Sequence, residues 1–485
     1  MVGICSYGGY IPRYRLNRTA VYQAVGWMNP GNIANAKGEK AVANFDEDSI
    51  TMAVAAGLEA LAGWDRSMVE GIYLASTTMP YKERLNAGIV SAALGLNDHI
   101  RAADFSGGLK AGTSALLSAL DGVEAKRLNN IVVAISECRL GKPASPQELI
   151  FGDAAAALVV GNQDVIAEFK GSYSITYDFA DHYRGQSAKY DRQWEDRWIR
   201  DFGFDQFIPE VVSNLLSKFS LKIEDFTKVI YDCHYPAARK KLNRILGVLP
   251  EADQSNFQAE IGQSGTAQSA VMLVNALEEA KAGDKLLVIS FGSGCDAIYF
   301  EVTEHINNKA KSRGVSEYLA QKAELDNYTK YLIWRNILPG DAGLRAEEDV
   351  WTRWSALWRS RKTVLGLWGT KCKKCGTAQI PPQTVCVNAE CGAIGDMEDY
   401  RFSDKVGHIA SFTGDMLAAS LNPPAIYGQI EFEGGGKMMF DLTDCDLDEL
   451  ATGMAVSMSF RRKYYDEKRD ISGYFWKAVP MKEVT

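Results

Sequence analysis

The sequence lacks any apolar run near the roughly 18 residues that a membrane-spanning helix needs, so no span is expected. It also lacks an excess of positive charge. Against 53 Lys and Arg stand 61 Asp and Glu, a formal net charge of −8, which argues against a general nucleic-acid-binding surface. The opening "MVGICSYGGY" has no basic segment followed by an apolar block, and no secretory leader is expected. Low-complexity tracts and internal repeats are absent. Histidine is scarce, with 5 in 485 residues, so the context of each can be weighed singly.

What is present is an α/β pattern. "GIYLAST" (71–77), "NIVVAISE" (130–137), "AAALVVG" (155–161), "KVIYDCH" (228–234) and "KLLVISFGSG" (285–294) are apolar runs ending in small or polar residues, as buried strands do. Helical stretches are expected at 49–61, 111–120 and 267–280. In such folds functional groups gather at the carboxyl ends of strands. From Val315 to about Ser360 the chain turns polar and aromatic, with a helical look, and reads as a connector. Alternating strands then return, with Gly434-Gly435-Gly436 as a hairpin turn in a small antiparallel barrel.

Nine cysteines, an odd number, divide into five scattered and four clustered, and read as reduced cytoplasmic thiols plus a metal site. Cys372, Cys375, Cys386 and Cys391 form a C-x2-C-x10-C-x4-C array on two tight knuckles. Four thiolates suit tetrahedral zinc and leave no open position, so the zinc is expected to be structural. Cys5, Cys138, Cys233, Cys295 and Cys445 read as small core residues. Cys138 and Cys295 stand out because each follows a strand end.

"DFSGGLKAGTSALLSAL" (104–120) raises a puzzle. Its "KAGT" (110–113) opens a helix after an extended run, where backbone N–H groups stabilise a developing anion. The residue at the mouth is Leu109, which can neither attack nor donate a proton.

"GYIPRYRL" (9–16), "NFDEDSITMAVAAGLEAL" (44–61), "LKAGT" (109–113), "FGDAAAALVVG" (151–161), "DCHYPAARKKL" (232–242) and "FGSGCDA" (291–297) together resemble the archaeal-type hydroxymethylglutaryl-CoA synthases of the thiolase superfamily. From about Tyr328 onward, "GHIASFTGD", "IEFEGGGKMMFDLTD" and "SFRRKYY" resemble the zinc-ribbon/OB-fold proteins that accompany thiolases and these synthases and help hold acyl-CoA. The resemblance implies a duplicated five-layer αβαβα fold: an N-terminal half (1–165), a C-terminal half (166–310), a helical connector (311–368), a zinc ribbon (369–395) and an OB-fold acyl-CoA-binding domain (396–485). It also implies an acyl-CoA thioester as substrate, so that coenzyme A enters as part of the substrate. A homodimer or a hetero-oligomer with a thiolase is the implied assembly.

The resembling synthases use a glutamate as acid/base, a cysteine as acyl carrier and a histidine that polarises a thioester carbonyl. Here the histidine is His234 in "DCHYP", beside Tyr235. Leu109 stands at the cysteine and Thr77 at the glutamate. An acyl carrier at the usual position is therefore ruled out. Three readings stay open: an aldol or retro-aldol enzyme on a CoA thioester without a covalent intermediate, a non-catalytic CoA-organising subunit, and a Claisen-type acyltransferase whose thiol has moved to Cys138 or Cys295. In the first, His234 and the turn ending at Gly294 supply oxyanion donors. "DFADHYRGQSAKYDRQWEDRW" (178–198) reads as a solvated helix and loop or as a lid lining the acyl pocket, with Asp181, His182, Tyr183 and Arg184 as candidates. Arg239, Lys240, Lys241 and Arg244 form either a solvated basic face or the contact for the CoA phosphates. His99, His182, His305 and His408 lack the strand-end motif context of His234.

Overall fold

Strand Ala154–Gly161 is buried at every position, and its run of alanines lets helices approach from both faces. It lies near the middle of one mixed sheet of nine strands: β1 (Gly3–Tyr10), β2 (Gly71–Ala75), β3 (Arg101–Phe105), β4 (Ile131–Glu137), β5 (Ala154–Gly161), β6 (Ala167–Thr176), β7 (Lys228–Tyr231), β8 (Lys285–Phe291) and β9 (Gly294–Val302). Their order is β7-β8-β9-β6-β1-β5-β4-β2-β3. The computed structural model describes residues 1–308, 313–341, 343 and 353–481.

The two wings repeat one plan. Outward from β1, β5 is antiparallel, β4 is antiparallel to β5, and β2 is parallel to β4. Outward from β6, β9 is antiparallel, β8 is antiparallel to β9, and β7 is parallel to β8. β1 and β6 pair and join the wings. The fold is thus duplicated although the sequence shows no repeat, because topology repeats while side chains do not.

Five helices matter for the site: α1 (Ser49–Ala60), α2 (Ala111–Glu124), α3 (Ile208–Phe219), α4 (Pro236–Leu246) and α5 (Gln268–Glu279). At the start of α1 the Asp48 side chain accepts from the N–H groups of Ile50 and Thr51, a cap of about 0.5–2 kcal/mol. α2 and α5 share one core with both wings, through Leu116 and Leu120, Val271 and Leu273, Val133 and Ile135 of β4, and Leu286 and Val288 of β8. The alternate residues of β8, Leu287 and Ile289, join a second core with Val211 and Leu215 of α3. Parallel pairing of β2 with β4, and of β7 with β8, sends the carboxyl ends of each pair the same way.

The chain divides into two compact units, one of residues 1–43, 48–91 and 96–328, the other of 44–47, 92–95 and 329–485. The division after Tyr328 falls inside the expected connector. Described helices of that stretch are Val315–Ala320, Tyr328–Trp334, Trp354–Arg359 and Arg361–Gly366. Its residues 311–312, 342 and 344–352, and 482–485 of the expected OB-fold domain, lie outside the described residues.

The second unit holds a three-stranded sheet, β10 (Trp368–Cys372), β11 (Ala378–Gln379) and β12 (Met397–Arg401), with β10 central. Its second sheet has five antiparallel strands, β13 (Gly407–Asp415), β14 (Ala425–Phe432), β15 (Lys437–Asp441), β16 (Ala455–Asp466) and β17 (Ile471–Pro480), in the order β15-β14-β13-β16-β17. The glycine run turns the β14–β15 hairpin with φ of +84°, +110° and +90°, which side-chain-bearing residues rarely adopt. Within this unit Asp46 is buried against Lys477 at 2.9 Å and Arg461 at 3.2 Å. Burial alone would raise its carboxyl, but the two cations outweigh that and hold it below the usual carboxylate range.

Candidate functional site

The motifs that lie far apart in sequence meet in the first unit. Lys110 Nζ sits 3.1 Å from Asp296 Oδ1, and Thr113 Oγ1 donates to Asp296 Oδ2 at 2.7 Å. "KAGT" and "FGSGCDA" are thereby tied together, and the N-terminus of α2 is anchored to β9. A Cβ on Gly292 would lie 2.8 Å from the Leu109 nitrogen and 3.0 Å from its Cβ, so only glycine allows this approach. Leu109 then lines a cleft together with His182, Asp232, His234, Gln263 and Phe291.

His234 follows β7. Gln263 Nε2 lies 3.2 Å from its Nδ1 and donates to Asp232 Oδ2 at 2.8 Å. Gln258 Nε2 donates to the other Asp232 oxygen at 3.2 Å. With both carboxylate oxygens accepting from amides, the Gln263 NH2 group faces the imidazole, Nδ1 accepts, and the ring proton belongs on Nε2. Burial pushes the Asp232 carboxyl up, against the pull of Gln263. Desolvation, reinforced by His182, Arg139 and Arg18, pulls the His234 imidazole down to about 3. At neutral pH it is an uncharged N–H donor.

His182 lies on a short ribbon, where His182–Tyr183 pairs antiparallel with Arg192–Gln193. Its Nδ1 is 2.9 Å from Asp181 Oδ2, so Nδ1–H donates to the carboxylate and Nε2 keeps its lone pair. The His182 side chain is only 9% exposed, and Nε2 is buried without a hydrogen-bond partner. Asp191 fastens the ribbon, receiving Arg139 Nε at 3.2 Å and Arg184 Nη1 at 2.9 Å. Arg184 also donates through Nη2 to the Thr77 carbonyl. Of the four lid candidates, the structure thus brings His182 to the cleft with Asp181 behind it. Arg184 acts as a clasp, and Tyr183 is exposed.

Thr77 holds an unexpected partner. Glu137, the last residue of β4, accepts from the Thr77 N–H at 2.8 Å and hydroxyl at 2.9 Å. Ser76, Thr78 and the Thr266 N–H also donate to it. Burial pushes the Glu137 carboxyl up, while Arg139 and these donors oppose the shift. Glu137 is wholly buried, behind Gly265 of the cleft wall. A carboxylate is therefore present near the strand end, but on the neighbouring strand and one layer back. The signal for it in the sequence was an acid closing an otherwise apolar run.

In the second unit the four cysteine sulfurs lie within 4.8 Å of one another, with Cys372–Cys391 at 3.9 Å and Cys375–Cys386 at 3.5 Å. Tetrahedral zinc with Zn–S near 2.3 Å requires S···S separations of about 3.8 Å. The donor set and spacing fit zinc, and all four positions would be protein thiolates.

Known proteins share the sequence pattern and the fold. The chain is 31% identical over 347 residues to the hydroxymethylglutaryl-CoA synthase of Caldivirga maquilingensis, covering 70% of this chain and 98% of that protein. The chain belongs to the hydroxymethylglutaryl-CoA synthase family. The synthase of Methanopyrus kandleri is likewise 31% identical over 334 residues, covering 66% of this chain and 93% of that one. Among solved structures, a hydroxymethylglutaryl-CoA synthase complexed with CoA shares the fold with a TM-score of 0.61 at 19% identity, over 73% of this chain and 94% of that one. A 3-oxoacyl-[acyl-carrier-protein] synthase III from Aquifex aeolicus gives 0.55 at 22%, over 62% and 100%. Residues 362–393 match the model of the ChsH2 rubredoxin-like zinc ribbon domain, and 400–461 that of the ChsH2 C-terminal OB-fold domain.

Within this synthase family fold, several of the candidates read from the sequence have partners of their own. Arg239 is one of them. It is bound to Asp253 and donates to the Tyr231 carbonyl at 3.0 Å and the Gln254 carbonyl at 2.6 Å. Lys241 pairs with Asp205 at 2.5 Å, and Lys240 and Arg244 are exposed. Tyr235 holds its ring against that of His234, centroids 3.9 Å apart and planes tilted by 39°, but its hydroxyl is held by Asp196 at 2.9 Å and by Gln193. It positions His234 rather than facing the cleft. Thr77 is committed to Glu137. Gly294 accepts the Gly292 N–H at 2.9 Å, so that donor of the turn is spent within the turn. Cys295 is fully buried in the α3-side core, and burial pushes its thiol well above the ordinary range. Neither it nor Cys138 lines the cleft.

The low His234 value has a consequence for stability. The unfolded imidazole titrates near about 6.5, so between there and about 3 the unfolded chain binds the extra proton. This contribution is complete above about pH 6.5 and is lost as pH falls towards 3. Urea unfolding across that window should show a shallower acid loss for His234→Asn than for wild type; identical slopes would contradict the assignment. For the metal centre, metal analysis should find about one zinc per chain. Cys372→Ser or Cys391→Ser should release it and lower the thermal stability of the second unit. Folded, metal-free protein indifferent to chelator would contradict this.

Proposed function

We propose that the chain makes or breaks a carbon–carbon bond in a CoA thioester by an aldol or retro-aldol route, without an acyl-enzyme. The observation that supports this reading most is the pairing, in one cleft, of an acceptor nitrogen on His182 with a donor N–H on His234, opposite an inert Leu109. One imidazole serves as base and the other stabilises negative charge.

In the cleavage direction, His182 Nε2 removes the proton of a 3-hydroxyl group on the acyl chain. The C2–C3 bond breaks, C3 becomes the carbonyl carbon of an aldehyde or ketone, and the electron pair passes through C2 to the thioester oxygen. His234 Nε2–H donates to that enolate oxygen. The proton on His182 then returns to C2, giving the shortened acyl-CoA. Asp181 orients His182 and stabilises its protonated form, as a buried carboxylate behind a catalytic imidazole does. No oxidant or further reactant is needed.

The second reading, a CoA-organising subunit without turnover, draws on the leucine at 109 and the threonine at 77. The test is turnover of 3-hydroxyacyl-CoA thioesters, followed by mass spectrometry, in wild type, His182→Ala and His234→Ala. Loss of the base should cost about 100- to 10,000-fold, and loss of the donor about 100- to 1000-fold, with CoA affinity nearly unchanged. Full activity in either variant would refute the assignment. A wild type that binds CoA, cleaves nothing and stimulates a separate thiolase would establish the subunit reading.

A further inference from the structure

The cleft lining is of two chemical kinds. His182, Asp232, His234 and Gln263 are polar, while Leu109, Ile199, Phe204, Ile289 and Phe291 are apolar, the last four packed in one cluster. Ile199 and Phe204 come from a π-helical stretch, Ile199–Phe207, immediately before α3. Such widened turns are rare and concentrate at functional sites. Here the stretch carries Gly203, where a Cβ would lie 2.5 Å from the Phe291 ring. The absence of that Cβ lets the Phe291 ring lie against the helix backbone. Phe204 and Phe291 have centroids 5.6 Å apart with planes at 51°, presenting both a face and an edge. Among the described residues no Lys or Arg lines the cleft, so a free carboxylate on the substrate would meet no fixed cation there, and Asp232 would oppose it.

We infer that the carbonyl partner released or captured in this cleft carries an apolar, ring-sized substituent at C3, an aryl group above all, and carries no second carboxylate. The inference rests on the aldol reading for the identity of C3, but its physical content is the fit of a ring to the apolar lining. Leu109 contributes to that lining: the residue that removes the acyl carrier also adds apolar surface where the substituent lies. An aryl ring laid against the Phe204–Phe291 pair gains edge-to-face contacts as well as burial. A methyl group cannot span the lining, and a carboxymethyl group would lose its hydration without an ion partner.

The experiment is isothermal titration of the full chain with 3-phenylpropionyl-CoA, butyryl-CoA and glutaryl-CoA, which lack the 3-hydroxyl and cannot be cleaved. The phenyl thioester should bind about 10-fold or more tighter than the butyryl one, with the glutaryl thioester weakest. Phe204→Leu keeps most of the apolar volume and removes the ring, so it should shrink the phenyl preference several-fold, the larger loss of affinity falling on the phenyl thioester. Equal affinities, a preference for glutaryl-CoA, or an unaltered preference in Phe204→Leu would overturn the inference. Cleavage of 3-hydroxy-3-phenylpropionyl-CoA to benzaldehyde and acetyl-CoA is read in parallel. A phenyl preference without cleavage would uphold the aromatic lining and refute the aldol reading. Cleavage with no phenyl preference would do the reverse.

Discussion

The hydrogen bond from Gln263 to Nδ1 of His234 decides what the cleft can do. Asp232 takes one Gln263 N–H and so fixes which end of the amide faces the ring. The imidazole proton is then on Nε2, and desolvation keeps the ring uncharged at neutral pH. At His182 the logic is inverted, because Asp181 takes the Nδ1 proton and leaves Nε2 as acceptor. Two side chains of one type thus receive opposite roles from their neighbours alone. Everything around them serves position: Tyr235 packs against His234, and the Asp191 clasp holds the ribbon that carries His182.

The fold brings these groups together by repetition. Parallel pairing at β2–β4 and again at β7–β8 aligns strand ends in each wing. In one wing those ends carry Thr77 and Glu137, sealed into a hydrogen-bonded knot. In the other they carry His234 and the Gly292 turn. Lys110 and Thr113 join the wings through Asp296, which fixes the N-terminus of α2 beside Leu109.

Much of this was legible in the residues. Apolar runs located β2, β4, β5, β7 and β8 to within a few residues, and cysteine spacing located the metal centre. His234 was found through its motif at a strand end. β9 was hidden because "GCDAIYFEV" follows β8 after a turn so short that the two read as one run and its sequel. His182 lies in a charged, aromatic segment whose composition fits a solvated loop equally well. Only the fold-back onto Asp181 and the cleft gives it meaning. Glu137 closes an apolar strand, a visible signal, yet its partners at 76–78 and 266 are remote in sequence. Arg239 is the opposite case: a basic helix announces charge, but Asp253, which binds that charge, lies outside the helix.

The central claim is that this cleft performs acid–base chemistry at C2 of a CoA thioester with no covalent intermediate. It is tested most directly by incubating the chain with acetyl-CoA in deuterium oxide, then reading the C2 hydrogens by NMR and the intact protein mass from one sample. The account predicts deuterium entering C2 while the protein mass stays unchanged. An acyl adduct on the protein, at Cys138, Cys295 or elsewhere, with no exchange at C2, would contradict it.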